Sequence, residues 1–226
     1  MTNKILKRNK DNAEVLKKHV KLISKPVAIK FYDNEDEIPD GLEIIGERIR
    51  HCEMVKKASF GDKFYSTLDQ QACQGGAGAL GLRDMPPKVA SGETYFKLGR
   101  FDSLETAKST VNELSIIPKK HTGILYSPLE EAEFEPDVVV IISEPVAAMK
   151  ITQSLVYNDG SKVRAEFAGI QSLCGDVVAN PIISENVNIS MGCDGSRKEA
   201  KVQDNELAIG ISKNKIEQVV ESLMNI

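Results

Sequence analysis

Apolar residues recur at three- and four-residue spacing over residues 11–24, where Val15, Leu16, Val20, Leu22 and Ile23 stand among lysines. The pattern predicts an amphipathic helix ended by Pro26. The period then drops to two: Val27, Ile29 and Phe31 alternate with Ala28, Lys30 and Tyr32 as a first strand, and the acidic residues 33–40 read as a solvated loop. Helical spacing returns with Ile45, Ile49, Cys52 and Val55, which would put Cys52 on the apolar side of a helix. Residues 64–68 read as a strand. They run into Ala72-Cys73-Gln74-Gly75-Gly76-Ala77-Gly78-Ala79-Leu80-Gly81, whose small side chains imply close backbone approach or tight packing.

In the second half Ser103 caps a helix, with Thr106 at its third position and Leu104, Ala107, Val111 and Leu114 on one face. Apolar runs follow at 123–126 and 138–142. The second is β-branched and lies between Pro136 and Pro145, as suits a central strand buried on both faces. Residues 145–156 read as a helix, 163–167, 187–191 and 206–212 as strands, and 214–224 as a closing helix. This alternation predicts an α/β or α+β fold, with a mixed sheet and flanking helices. No low-complexity linker interrupts residues 1–226, so a single compact domain is expected.

Composition narrows the function classes. The 226 residues are 41% hydrophobic and 27% charged, enough to bury a sizeable core. Lys and Arg number 29 against 33 Asp and Glu, a net charge of −4 without a basic face, so nucleic acid is not an expected partner. No run approaches the ~18 apolar residues of a membrane span, and the basic start MTNKILKRNK leads into Asp11 and Asn12 where a signal peptide would have an apolar stretch. A cytoplasmic protein, possible as a homo-oligomer, is the expectation.

Four cysteines are too few to staple a chain of this length, and in the cytoplasm each would be a reduced thiol. Cys52, Cys73, Cys174 and Cys193 show no C-x-x-C spacing, but the last three lie at small-residue turns beside expected strand ends or helix starts. Such positions favour the thiolate and leave room for a bulky group. Dispersed soft thiolates suit an iron–sulfur cluster, with zinc or no metal as alternatives. The competing readings are a thiol-dependent enzyme acting on a small anion held by Arg197, and a small-ligand module whose pocket is lined by Gly75 and Gly76. A P-loop is excluded because no Gly-Lys-Ser/Thr follows the glycines. Adjacent helical positions point about 100° apart, so His51 and Cys52 would not share a metal. His19 and His121 suggest no partner.

Several segments together resemble one prokaryotic family: Pro26-Val27-Ala28-Ile29-Lys30-Phe31, Cys52-Glu53-Met54-Val55, Cys73-Gln74-Gly75-Gly76-Ala77 with Leu80-Gly81-Leu82, Ser91-Gly92-Glu93, Pro136-Asp137-Val138-Val139-Val140, Gly169-Ile170-Gln171-Ser172 with Cys174, and Gly192-Cys193 with Gly195 and Arg197. The family is domain of unknown function 169, found in archaea and anaerobic bacteria. The resemblance implies that the four cysteine segments are characteristic ones. It implies no activity, and a redox partner or small-molecule substrate stays an expectation from the thiols alone.

Overall fold

The structure, a computed structural model, describes residues 2–226; Met1 of the basic start lies outside them. Its elements in chain order are α1 (Thr2–His19), β1 (Val27–Tyr32), α2 (His51–Ser59), β2 (Phe64–Thr67), α3 (Gln74–Ala79), α4 (Pro87–Ala90), α5 (Glu93–Lys97), α6 (Leu104–Asn112), β3 (Gly123–Pro128), β4 (Val138–Ser143) and α7 (Pro145–Val156). A π-helix, Ser172–Ala179, runs into α8 (Asn180–Ser184), followed by β5 (Val187–Ser190), α9 (Asp194–Lys198), β6 (Leu207–Ser212) and α10 (Lys213–Leu223).

The six strands form one sheet in the order β2-β3-β1-β4-β6-β5. Every pairing between them is antiparallel, and the parallel component is confined to two isolated bridges, Ile44 with Tyr65 and Ile49 with Gln71. Since side chains alternate across a strand, each central strand feeds two cores. Ala28, Leu125, Val139, Ile141, Ile209 and Ile211 pack with α1, α7 and α10, whereas Ile29, Ile124, Tyr126, Val138, Val140 and Ala208 pack with α2, α3 and the π-helix. β4 is buried at all six positions, as its unbroken β-branched run requires.

The structure departs from the sequence pattern at three places. The first helix begins nine residues earlier than apolar spacing suggests and ends at His19, before Pro26. Its buried face continues through polar Asn9, whose amide donates to the carbonyls of Ala132 and Phe134, both at 2.9 Å. Ile45 and Ile49 are not helical. Their amides donate to the Tyr65 and Gln70 carbonyls beside β2, so α2 starts only at His51. Residues 163–167 form no strand; instead the Asn188 side chain pairs with the Glu166 backbone, giving 2.7 Å to its carbonyl and 2.8 Å from its amide. The Gly/Ala run coils into the short helix α3, tight against the other elements of its core.

Candidate functional site

Each cysteine comes from a different element. Cys52 is the second residue of α2, Cys73 caps α3, Cys174 lies in the π-helix, and Cys193 caps α9 just after β5. The Cys73 sulfur accepts from the Gly76 amide at 3.4 Å, a capping contact that turns the thiol toward the helix start. All four line one cavity of about 350 Å³ on the α2, α3 and π-helix side of the sheet, with Gly75, Gly76 and Gly195 in its wall.

The glycines leave room beside three of the sulfurs and bring the backbone close. A Cβ on Gly76 would stand 3.5 Å from the Cys73 sulfur and 3.6 Å from that of Cys174. One on Gly195 would stand 3.7 Å from the Cys193 sulfur and 3.4 Å from Arg50 Nη1. On the sheet side, Gly210 lets β6 touch the π-helix backbone: a Cβ there would lie 1.9 Å from the Val177 carbonyl oxygen. Cys174 is therefore positioned by a close backbone contact that no larger residue admits.

Electrostatics separate the thiols. Burial pushes Cys52 up to about 12, with Cys193 and Cys73 adding to the effect. Burial also pushes Cys174 well above its ordinary value, reinforced by the other three sulfurs. For Cys193 burial acts in the same direction, but hydrogen bonding from Ser172 and Ser196 outweighs it and holds the thiol below its ordinary value. Cys52 and Cys174 thus resist ionisation in a poorly solvated space, with neighbouring sulfurs adding to the effect of burial.

Polar groups complete the wall. His51 is buried, donates to or accepts from the Tyr126 hydroxyl through Nδ1 at 2.8 Å, and is pushed down to about 3 by burial, so it is a neutral imidazole. The Leu173 backbone opposes that shift, but its geometry falls short of a hydrogen bond and Nε2 is left without a partner. Within the π-helix, outside the cavity lining, burial raises the Asp176 carboxyl to about 7 even though the Ser190 hydroxyl donates to it at 2.6 Å. At the mouth Arg50 pairs with Glu199 at 3.4 Å, and Arg100 pairs with Asp194.

Of the residues expected at a site, the four cysteines, Gly75 and Gly76 meet at this cavity, whereas Arg197 is not among its lining residues. The Arg197 guanidinium donates instead to the carbonyls of Gln203 (2.6 Å), Met191 (2.5 Å) and Glu206 (3.3 Å), bracing the loop after α9. With its donors so used, it is a structural arginine; Arg50 and Arg100 are the cations that line the cavity. Gln171, Tyr95 and Arg50 line it without standing out in the sequence. Gln171 carries one signal, its place in a family-like segment, but nothing in its neighbours marks its backbone. His121 acquires a partner far from the cavity, Asp33 at 2.8 Å. Among the described residues no group of three or more His, Cys, Asp or Glu is arranged to hold a metal ion, and no helix is long and apolar enough to cross a membrane.

An antiparallel α/β protein with a four-thiol cavity on one face of its sheet is the class these features define. Residues 15–222 match the DUF169 family, described as Uncharacterised ArCR, and the chain belongs to it. An uncharacterized protein of Methanocaldococcus jannaschii, MJ0308, is 38% identical over 216 residues, which is 95% of this chain and 93% of that protein. No solved structure matches the chain.

Proposed function

We propose that the cavity binds an iron–sulfur cluster, with Cys52, Cys73, Cys174 and Cys193 as ligands. The observation that carries this reading is that four thiols from four separate elements line one space of about 350 Å³. The donor chemistry fits, because thiolates are the usual ligands of such clusters. A lone zinc ion fits less well. One ion draws its ligands to about 2.3 Å, and no group among the described residues is arranged to hold one. The free thiols also suit a reducing compartment, which favours the cytoplasm.

The thiols' mutual repulsion gives this reading a thermodynamic signature. Cys52 and Cys174 are held protonated by burial and by their neighbours, so they ionise only when positive charge arrives among them. Loading should therefore release protons and weaken as pH falls. When bound, the cluster supplies one-electron or Lewis-acid chemistry; Ser172 and Ser196 favour ionisation of the Cys193 thiol, and the glycines leave the volume free.

Anaerobic purification with iron and acid-labile sulfide assays and a visible spectrum tests the proposal. Iron and sulfide should be present together, and Cys→Ser at any of the four positions should lower both to a similar extent. A second reading is favoured by Cys193 alone, the thiol whose ionisation its surroundings assist: a nucleophile. Wild-type protein without iron after anaerobic reconstitution, together with thiol reactivity lost only in Cys193→Ser, would replace the first reading by the second.

A further inference from the structure

We propose that the cavity has an organic occupant beside the thiols: a small carboxylate that also carries a hydroxyl or amine donor, held by Gln171 and Arg50. This goes beyond the cluster and stands whether or not iron is bound. Gln171 lines the cavity and is only 6% exposed. Its backbone is left-handed, with φ 51° and ψ 42°, a conformation that a glutamine adopts at a cost and that tends to mark ligand sites.

In the structure the amide nitrogen faces two acceptors. Nε2 donates to the Tyr95 hydroxyl oxygen at 2.9 Å and faces the Met85 sulfur at 3.9 Å, which leaves Oε1 buried with no partner. A buried carbonyl oxygen without a donor is costly, and an incoming hydroxyl or amine would satisfy it. Gly75 leaves room on the nitrogen side of this amide, since a Cβ there would stand 3.4 Å from Gln171 Nε2 and 3.7 Å from the Tyr95 oxygen.

The charge of the occupant follows from Arg50. Its Nη2 reaches Glu199 at 3.4 Å, while Nη1 lies over Gly195 on the same side as the Cys193 sulfur. A guanidinium edge at the rim of a largely apolar space suits a carboxylate, which it can grip with two parallel hydrogen bonds. The volume is at the lower end of the range for small-molecule sites, so the occupant is a compact acid.

Lactate and alanine, compared with propionate on the same three-carbon frame, probe both features by calorimetric titration of iron-loaded and metal-free protein. At least one donor-bearing acid should bind about tenfold tighter than propionate, the factor expected of one hydrogen bond to a buried acceptor. Gln171→Asn, which tolerates the left-handed backbone, should erase that preference, and Arg50→Gln should weaken all three acids roughly ten- to a hundredfold. Equal affinities in wild type, no binding of any of the three, or a preference that survives Gln171→Asn would overturn the inference. The wild-type comparison needs no variant and decides the matter even if a substitution fails to fold. Binding without iron would leave this inference standing and count against the cluster; iron without binding would do the reverse.

Discussion

On one face of the sheet Ala28, Leu125, Val139 and Ile141 meet α1, α7 and α10 through apolar side chains, and the buried Asn9 is fully engaged by two carbonyls. On the other face Ile29, Tyr126 and Val140 meet α2, α3 and the π-helix, but around them lie four thiols, a neutral imidazole, a buried carboxyl and a cavity. The three buried side-chain atoms without partners among the described residues, His51 Nε2, Gln71 Oε1 and Gln171 Oε1, all belong to this second side. Same strands, same alternation, different use: one face is filled for stability, and the other gives up packing and hydrogen bonds around a space.

Emptying the filled face should have the largest effect. Ile141 is fully buried in β4 against the α1, α7 and α10 layer, so Ile141→Ala should cost about 3 to 4 kcal/mol, read from urea unfolding. Iron content of the folded protein should not change, because the side chain points away from the thiols. Comparable loss of iron at a temperature where the variant is folded would break the division between the faces.

Gly210→Ala asks the same of the other side. Its Cβ would meet the Val177 carbonyl at 1.9 Å, and backbone cannot swing aside as a side-chain tip can. Overpacking of this kind costs about 2 to 3 kcal/mol. Here the loss should come with displacement of the π-helix, so that Cys174 alkylates faster and iron binding falls. A variant equally destabilised but with wild-type iron content would show that Cys174 is not positioned by this contact.

These two positions also show what a sequence can disclose. Ile141 lies in a run whose burial on both faces is legible from composition and from its bounding prolines, and α7 and the Ser103 cap are legible for similarly local reasons. That Cys52, Cys73 and Cys174 adjoin small residues or an apolar face is visible too. Their meeting at one cavity is a matter of tertiary packing, which spacing along the chain suggests but does not determine. The π-helix is not visible, because its i to i+5 bonding, such as the Asp176 amide to the Gln171 carbonyl at 3.2 Å, has no distinct apolar period in eight residues. Ile45 and Ile49 mislead because four-residue spacing fits an extended segment as well as a helix. Arg197 misleads because backbone carbonyls can use a guanidinium as fully as any ligand.

A smaller but sharper contrast lies within the thiol face. In metal-free protein at neutral pH, Cys193 should alkylate at least tenfold faster than Cys52 and Cys174, since the thiolate is the reactive form and burial suppresses it in those two. Raising the pH toward 10 should bring Cys52 up, its midpoint lying higher still. Mass-resolved alkylation kinetics give each rate, and uniform rates would remove the electrostatic distinction among the four.

The smallest effect belongs to a group outside both cores. Asp33, just after β1, accepts from Lys119 and His121, and these partners, Lys119 foremost, hold its carboxyl below the ordinary 3.8. Because the folded state favours the charged form, the contribution to stability is present in full above the unfolded value and is lost as pH falls through the lower folded one. Asp33 is partly exposed and its pairing with Lys119 is screened by solvent, so Asp33→Asn should cost only about 0.5 kcal/mol at pH 7. The difference from wild type should shrink below pH 4 and with added salt, leaving iron content and thiol rates as they were. Urea midpoints at pH 7 and pH 3 measure it, and a gap that widens toward acid would mean that Asp33 is held by something other than these cations.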